Sequence, residues 1–291
     1  MSELEKNFPA DEWLDLLVGQ SLAEDVGTGD STTDITVSED LQAEALVVAR
    51  QTGVVAGLPL IDLLFGHLDP LVRVKRLLYD GTSVRPGQAV AWLQGPARSI
   101  LTGERTMLNF LQHLGGIASL TNQYVQQVAG TGCRILDTRK TLPGYRRLAK
   151  YAVLCGGGHN HRMGLYDRVM LKDNHWAAGG GSIEELVARS RSRYPDLAIE
   201  VEVDNLEQLD RVLPIGVEWI LLDNFNYADT AEAVRRKDSS GVDTLLESSG
   251  NVNLETVAHY AKAGVDAASV GRLTHSAAAL DLGLDMTGET S

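Results

Sequence analysis

The sequence predicts an α/β protein in two parts: an N-terminal α+β sandwich-like domain and an incomplete α/β barrel of six to seven strands. After Gly130, a short apolar strand that ends in polar residues alternates with a helical segment about six times. Strands that alternate with helices in this way pair in parallel. A complete eight-unit barrel takes ~250 residues. This part of the chain offers roughly 145, so the barrel is expected to be shortened or open.

The composition is that of a globular protein with one large domain or two smaller ones. The 291 residues are 44% hydrophobic and 22% charged, with a formal net charge of -13 and a pI near 4.9. Such acidity argues against a nucleic-acid partner. The two cysteines, Cys133 and Cys155, indicate a reducing compartment. We see no signal peptide and no apolar run of the ~20 residues that a membrane span needs, and therefore expect a cytoplasmic protein with no membrane partner.

The N-terminal domain is expected over residues 1–115, with the C-terminal segment 276–291 packing back onto it, and the barrel over residues 116–275. The N-terminal domain should begin with a helix over residues 11–20, because four apolar side chains share one helical face: Trp13, Leu14, Leu17 and Val18. Residues 24–36 are rich in Gly, Asp and Thr and predict a long turn.

The rest of this domain should contain short strands followed by helices. Apolar runs predict three strands, over residues 45–50, 72–79 and 89–93. A helix is expected from Thr102, an interruption at Gly115-Gly116, and a second helix to about Val128.

Polar residues follow every predicted barrel strand. The strand ends are Asp137–Lys140, Lys172–Asn174, Asp204-Asn205, Asp223-Asn224, Glu247–Gly250 and Gly271-Arg272. The C-terminal ends of parallel strands are where α/β barrels carry their sites. One of the intervening helices, over residues 182–194, starts with the capping-box pattern Ser182…Glu185.

Positive charge is concentrated in one segment. Between Arg134 and His175 lie nine of the 26 Lys and Arg residues. Converging cations in an otherwise acidic protein predict a pocket for a small, highly charged anion. The triple glycine at residues 156–158 lies in the same segment, and its backbone amides could approach that anion.

The predicted strand LAIEVEVDN places three acids on one face. With a period of two, Glu200, Glu202 and Asp204 point the same way. An exposed edge strand would show the same alternation. Strands buried in a parallel sheet are normally apolar on both faces, so we favour acids that point into the barrel mouth, where they hold a metal or meet the cations.

The stretch DTRKTLPGYRRLAKYAVLCGGGHNHRMGLYDRVMLKDNH resembles the corresponding segment of the quinolinate phosphoribosyltransferase family. GERTMLNFLQHLGGIAS, EVEVDN, LLDNF, LESSGNV and SVGRLTHS are similar to the family in the same order, and the likeness spans about residues 8 to 286. The resemblance implies a homodimeric, Mg²⁺-dependent enzyme of de novo NAD biosynthesis. It would transfer phosphoribose from phosphoribosyl pyrophosphate (PRPP) to quinolinate and release pyrophosphate and CO₂, giving nicotinate mononucleotide.

The resemblance also assigns roles residue by residue. It implies a quinolinate pocket lined by Arg139, His161, Arg162 and Lys172 and joined by Arg105 of the neighbouring subunit. Thr138 would also bind substrate. Lys140 would meet PRPP, and Glu202 and Asp223 would hold the ribose hydroxyls and Mg²⁺. Lys140, Lys172, Glu202 and Asp223 are thus the expected catalytic residues. The phosphate-holding loops would be Ser249, Gly250 and Asn251, then Val270, Gly271, Arg272 and His275.

Arg105 breaks a local rule of helix design. If Thr102 is the N-cap, Arg105 is the third helical residue, where a capping box has Glu or Gln. A cation there costs about 0.3–1 kcal/mol against the helix dipole. The sequence alone favours a surface arginine, and the family resemblance favours a functional one. Asn251 departs from the glycine of many family members, which leaves the phosphate contacts of its loop open.

Other charged and polar residues have structural interpretations. Helical spacing favours a solvated face for Arg146, Arg147 and Lys150. His113 is expected on a helix surface and Cys155 in the core. His159, His161 and His175 lack the spacing of a zinc site.

Three other functions fit part of the pattern. A Schiff-base aldolase would use Lys172 or Lys140 at a strand end. A related pyrophosphorylase-like protein associated with molybdate transport shares much of the same segment. A non-catalytic phosphate-sensing module would keep the pocket without the reaction.

Overall fold

Two compact units make up the protein in this computed structural model, which describes residues 4–172, 175 and 181–290, the last three of these by their backbone alone. The first unit comprises Met1–Asn122, Arg147–Gly157 and Ser276–Ser291, and the second comprises Gln123–Arg146 and Gly158–His275. These compact units differ from the predicted domains, 1–115 and 116–275, at residues 116–122 and 147–157.

Residues 147–157 join the first unit through polar contacts. The Arg147 guanidinium donates to Asp11 at 2.7 Å and stacks over the Trp13 ring. Tyr151 donates to the buried Asp80 at 2.6 Å. Sequence order placed this segment inside the strand–helix repeat and gave no sign of these long-range contacts.

The first unit is built on a four-stranded antiparallel sheet. The strand order is β12-β1-β5-β3, so the C-terminal strand β12 pairs along the whole of β1. A second, two-stranded sheet joins β2 and β4. The strands are β1 (Gln42–Ala49), β2 (Gly53–Val54), β3 (Arg73–Arg76), β4 (Ser83–Val84), β5 (Ala89–Pro96) and β12 (Leu282–Thr290).

Four helices and a 3-10 turn (Leu4–Asn7) complete the elements that begin in this unit. The helices are α1 (Glu12–Val26), α2 (Ser31–Thr36), α3 (Pro59–Leu68) and α4 (Ala97–Gln127). In α1, Leu14, Val18 and Leu22 are buried, which confirms the predicted apolar face. The long turn predicted over residues 24–36 is wrong, because Asp30 caps a short helix by accepting from the Thr33 amide.

A single helix, α4, runs through the predicted interruption at Gly115-Gly116. A Cβ on Gly115 would lie 2.7 Å from Leu280, and one on Gly116 would collide with the Ala278 carbonyl. The glycines therefore permit close packing of the C-terminal segment on the helix, and they do not end it. Because α4 begins at Ala97, Thr102 is an interior residue and the predicted N-cap is wrong.

The second unit is an open, six-stranded parallel sheet in the order β6-β11-β10-β9-β8-β7. All six strands predicted from the repeat are confirmed: β6 (Arg134–Leu136), β7 (Val169–Leu171), β8 (Ile199–Val203), β9 (Trp219–Asp223), β10 (Leu245–Ser249) and β11 (Ala267–Ser269). The sheet and its helices form the incomplete barrel that the sequence predicts.

Helices connect these strands. They are α5 (Arg146–Cys155, whose residues from Arg147 belong to the first unit), α6 (Ile183–Arg193), α7 (Leu206–Val212), α8 (Tyr227–Ser240), α9 (Val257–Ala263) and α10 (Arg272–His275), with a 3-10 turn at Leu213–Ile215. The predicted capping box at the start of α6 is present. Among the described helices, none combines the length and apolarity needed to cross a membrane.

Candidate active site

The C-terminal edge of the parallel sheet gathers the predicted site residues. Parallel pairing brings all six strand ends to this edge. Lys172 follows β7, Glu202 lies in β8 and Asp223 ends β9. Gly250 follows β10 and Gly271 follows β11. The sheet order therefore separates the lysine at one side from the glycine loops at the other, with the two acids between them.

An ion pair joins Lys172 to Glu202 across β7 and β8. The Glu202 side chain is nearly buried, whereas that of Lys172 keeps about a third of its surface exposed. Glu202 pairs in register with Leu221, so Asp223, two residues further on, has the same face of the sheet. This part of the edge thus offers a partly exposed cation and two neighbouring carboxylates.

The three-acid face predicted for β8 is confirmed for two residues only. Glu200 is fully buried and meets Arg168 at 3.1 Å, and Glu202 meets Lys172. Asp204 lies beyond the end of β8, is exposed, and accepts a hydrogen bond from Gln208 at 3.3 Å. Asp173 and Asn174, predicted at the end of β7, lie outside the described residues.

Arg162 is the most buried cation of the predicted quinolinate pocket. It is 8% exposed and donates to the Arg168 carbonyl at 3.3 Å. Burial, followed by the positive charge of Arg139, lowers the pKa of Arg162. The Thr138 hydroxyl accepts from the Lys140 amide at 3.0 Å and shapes the turn that carries these residues. Two arginines that repel each other in this way would both be stabilised by a bound dianion.

His161 is more deeply buried than a residue that lines an open pocket would be. Its ring is 8% exposed and both of its nitrogens face protein groups. Nδ1 accepts from the Arg162 amide at 2.7 Å, and Nε2 lies 3.1 Å from Glu200 and 3.5 Å from Glu247. Glu247 has no role among those predicted from the sequence. The signal was an acid in the middle of the buried strand β10.

The loops after β9 and β10 interlock through asparagine side chains. Asn224 and Asn251 both adopt positive φ, near 56° and 54°, and asparagine tolerates this region better than most residues. The Asn251 amide donates to the Asn224 side chain at 3.1 Å, and the Asn224 backbone amide donates to the Ser249 carbonyl at 2.9 Å. The left-handed backbone at Asn251 explains why a glycine would also serve there.

Gly250→Ala is expected to destabilise the protein more than Gly241→Ala. Both glycines have positive φ, 80° and 69°, so both substitutions carry about 1–2 kcal/mol of backbone strain. Only at Gly250 would the new Cβ collide with Asn224; at Gly241 it meets open space. Overpacking adds about 1–3 kcal/mol. Urea unfolding of the two variants measures the difference, and equal losses would show that the Asn224 loop gives way.

The loop after β11 lies against Lys140. The Thr274 hydroxyl donates to the Lys140 carbonyl at 2.7 Å. A Cβ on Gly271 would approach Lys140 Cδ at 3.0 Å and His275 Nε2 at 3.4 Å. The Val270 amide donates to the Leu136 carbonyl at 2.9 Å and ties this loop to β6. The structure therefore brings Lys140, Gly271 and His275 together, and Arg272 follows as an exposed residue in α10.

The solvated face predicted for three cations is wrong. Lys150 is fully buried. Arg147 binds Asp11, and Arg146 donates to the carbonyls of Arg139 and Met163 at 3.2 Å. Arg146 thereby supports the backbone that presents Arg139. Helical spacing alone could not distinguish these contacts from solvent.

The triple glycine is not an anion loop at its first two positions. The Gly156 and Gly157 amides donate back into the end of α5 at 2.9–3.1 Å. A Cβ on Gly156 would collide with the Ala118 carbonyl of α4, so this glycine serves packing. Cys155 is buried, as predicted, and its thiol pKa is raised by burial. His113 is half-buried rather than a surface residue, and burial lowers its pKa.

Arg105 lies about two turns after the start of α4. The side chain is exposed and forms no ion pair with any residue in the described ranges. A cavity of about 300 Å³ lies beside it, lined in part by Asp25, Asp30 and Thr102. The helix-dipole reason for singling out Arg105 is wrong, because the helix begins eight residues earlier.

Together the fold and the edge of the sheet define a class of protein: an α/β-barrel enzyme that acts on small, multiply charged anions. Models of the two quinolinate phosphoribosyl transferase domains match the chain in order, the N-terminal domain over residues 30–115 and the C-terminal domain over residues 117–285. The chain belongs to the quinolinate phosphoribosyltransferase family.

Similar proteins extend over nearly the whole chain. The nicotinate-nucleotide pyrophosphorylase (carboxylating) of Mycobacterium leprae is 47% identical over 275 residues, which are 92% of this chain and 95% of the relative. A probable enzyme of the same name from Bacillus subtilis is 39% identical over 271 residues, which are 93% of this chain and 92% of the relative. The structure of nicotinate-nucleotide pyrophosphorylase from Francisella tularensis has a TM-score of 0.90 at 37% identity and covers 97% of this chain and 98% of that one.

Proposed function

We propose that the protein transfers phosphoribose from PRPP to the ring nitrogen of quinolinate and releases pyrophosphate and CO₂, giving nicotinate mononucleotide for de novo NAD synthesis. The observation that carries this proposal is the division of charge along one sheet edge. Cations lie beside β6 and β7, acids at the ends of β8 and β9, and glycine loops after β10 and β11. The names of the relatives support the same reaction.

Each part of this edge suits a different part of the two substrates. Arginine binds carboxylates through two parallel hydrogen bonds, so Arg139 and Arg162 suit the adjacent carboxylates of quinolinate, with Lys172 beside them. Lys140 and the loops containing Gly250 and Gly271 suit the phosphates of PRPP, since small residues let backbone amides close on an anion.

The reaction needs positioning more than it needs a protein nucleophile. Pyrophosphate leaves C1 of the ribose, a cationic sugar develops, and the ring nitrogen of quinolinate attacks it. The quaternary nitrogen then stabilises the carbanion that remains when the 2-carboxylate departs as CO₂, and a proton is taken up at that carbon. The protein's cations align the dicarboxylate and neutralise the leaving pyrophosphate.

Glu202 and Asp223 fit a Mg²⁺ ion that is held mainly through substrate. Both offer hard carboxylate oxygens on the same face of neighbouring strands, at the end where PRPP would lie. Mg²⁺ bound through one or two carboxylates, substrate phosphates and water is a common arrangement. When bound, the ion would neutralise the pyrophosphate. The same carboxylates would orient the ribose hydroxyls by accepting their hydrogen bonds.

The test is an assay of the purified protein with quinolinate, PRPP and Mg²⁺. We expect CO₂ and nicotinate mononucleotide to appear in equal amounts and only with both substrates present. Absence of product with folded protein would reject the proposal and favour the molybdate-associated or phosphate-sensing alternatives. A borohydride-trapped adduct with a carbonyl substrate would favour the aldolase, although an ion-paired ammonium such as that of Lys172 is not a nucleophile.

Lys172→Met and Lys140→Met are expected to affect different substrates. Lys172 is assigned to the quinolinate pocket, so its loss should weaken quinolinate binding. Lys140 lies against Gly271, so its loss should weaken PRPP binding. Removing one charge-assisted hydrogen bond costs about 1.5–3 kcal/mol, which is roughly 10- to 150-fold in affinity. Calorimetric titration of each ligand separates the two effects, and exchanged effects would overturn the role assignment.

A homodimer in the cytoplasm completes the proposal. The family resemblance places Arg105 in the quinolinate site of the neighbouring subunit, and its exposed side chain without an ion pair in the described ranges is consistent with that role. Both cysteines are buried and free, which suits a reducing compartment.

A further inference from the structure

Glu247 is a buried acid that the proposed reaction does not use. It lies in the middle of β10 and is 0% exposed. Neither of its oxygens accepts a hydrogen bond of normal geometry from the described residues, although the Ser269 hydroxyl faces it. The nearest ring nitrogen, His161 Nε2, is 3.5 Å away. An ionised carboxylate in such a place would be costly, because burial without donors penalises charge.

The protons around Glu247 follow from the hydrogen bonds of His161. Its Nδ1 accepts from the Arg162 amide at 2.7 Å, so the ring proton is on Nε2 and the imidazole is neutral. That N–H points toward Glu200 at 3.1 Å. Glu200 is ionised, because His161 and the Arg168 guanidinium at 3.1 Å hold its pKa below the usual range despite burial.

With Glu200 ionised, the charge of Arg168 is already balanced. A second carboxylate in the same cluster would leave one buried negative charge without a partner. Burial, and then the charge of Glu200, raise the pKa of Glu247 to about 7, and the Ser269 hydroxyl and the Arg168 guanidinium oppose this only in part. Cys133, which precedes β6, is close enough for the charge of Glu247 to contribute to the raised pKa of its thiol, after burial and the charge of Asp266. Two buried acids so close together share one proton more readily than two charges.

A metal ion is the alternative occupant of this cluster. One atom each of His161, Glu200 and Glu247 lie within 4.8 Å of one another. The Arg168 guanidinium already binds Glu200, and a second cation there would be repelled. The Nε2 atom that a metal would need carries the proton, because Nδ1 is an acceptor. The arrangement therefore fits a proton better than a metal.

We infer that Glu247 is a positioning residue that acts as a neutral acid and, through Glu200 and His161, holds Arg162 in place for a substrate carboxylate. This inference rests on the proposed function. Ionisation of Glu247 would add a negative charge behind the site, draw a proton onto His161 and break the acceptor that fixes the Arg162 backbone. Quinolinate binding would then fall with rising pH through a group that never touches the ligand.

The experiment compares quinolinate binding by the whole protein across pH 6 to 8.5 in wild type, Glu247→Gln and the exposed control Glu255→Gln. If only the form with protonated Glu247 binds, wild-type affinity should fall about tenfold more than that of Glu247→Gln between pH 6 and 8. The glutamine is a neutral isostere, so affinity at pH 6 should be retained. Glu255→Gln makes the same chemical change at an exposed site and should follow wild type.

Three results would overturn the inference. Identical pH profiles in wild type and Glu247→Gln would show that Glu247 does not act through its proton. A large loss of affinity in Glu247→Gln already at pH 6 would show that the ionised form is needed. Stoichiometric Zn²⁺ binding to wild type that is lost in Glu247→Gln would assign the cluster to a metal and also reject the proton.

Thermal unfolding gives a readout that does not depend on quinolinate. A folded-state pKa near 7 against about 4.5 in the unfolded chain means that the native state binds the extra proton between these values. Stability of wild type should therefore decline from pH 4.5 to 7 relative to Glu247→Gln, and run parallel above it. If wild type binds no quinolinate at any pH, the proposed function fails, and the unfolding curves still decide whether Glu247 holds the proton.

Discussion

Nicotinate, which lacks the 2-carboxylate of quinolinate, is expected to react with a kcat/KM about 10³- to 10⁵-fold lower. A site built to bind a polar substrate group rejects analogues that lack the group by about 10⁴–10⁵. Here the unsatisfied group would be a cation. Arg162 is 8% exposed and its pKa is already lowered by burial and by Arg139. Without the second carboxylate, this buried charge would lose its counterion.

The measurement is steady-state production of nicotinate mononucleotide from each substrate at saturating PRPP. Benzene-1,2-dicarboxylate is the matched control, because it keeps both carboxylates and lacks the ring nitrogen. It should compete with quinolinate and form no product. A kcat/KM for nicotinate within tenfold of that for quinolinate would contradict the assignment of these cations to a dicarboxylate.

The barrel half of the fold was predictable because its signal is local and repeated. Each strand of the second unit is an apolar run with polar residues at its end, and all six occur where this pattern predicts. Parallel pairing then places Lys172, Glu202, Asp223 and the glycine loops at one edge without further information. The resemblance to the family adds the roles of these residues, and the sheet geometry supplies their order along the edge.

The errors occurred where distant contacts decide the local structure. The sequence predicted a helix break at Gly115-Gly116. In the structure, Leu280 and Ala278 pack against these two glycines and α4 continues through them. Gly156 was predicted to belong to a loop that approaches an anion, but in the structure it packs closely against α4. In both cases the partner is far away in sequence, so neither propensity nor spacing could reveal it.

The burial of charged side chains was the second feature that the sequence did not predict. Lys150 sits at a helical spacing typical of a solvated face and is fully buried. Glu247 was predicted to follow the end of its strand, and this prediction is wrong, because Glu247 lies in the middle of β10 (Leu245–Ser249). An acid flanked by buried residues in a parallel strand is a usable signal, since such strands are normally apolar on both faces. Glu200 and Glu202 were detected in β8 by this rule.

Two inactive variants, Arg105→Ala and Lys172→Ala, are expected to restore activity when they are mixed. Arg105 is exposed on α4 and forms no ion pair within the described part of the chain, although Asp25 and Asp30 line the cavity beside it. Those aspartates accept hydrogen bonds from Thr106 at 3.3 Å and from Thr102 at 3.0 Å. The guanidinium therefore remains available for a ligand of another subunit.

If Arg105 serves the partner's site, each mixed dimer has one doubly defective site and one intact site. Random exchange of equal amounts makes half of the dimers mixed, so roughly a quarter of all sites should recover. Mass spectrometry confirms the exchange, and the specific activity of the mixture measures the recovery.

Mixing Lys172→Ala with Lys140→Ala is the matched control. Both lysines belong to the second unit, and Lys140 lies against Gly271 of the same chain. A mixed dimer of these two variants has one lysine missing from each site, so no site is intact and activity should stay at the level of the separate variants. Recovery in the Arg105 mixture alone therefore identifies a residue that crosses the subunit boundary. Equal activity in both mixtures, with exchange complete, would place Arg105 outside the partner's site.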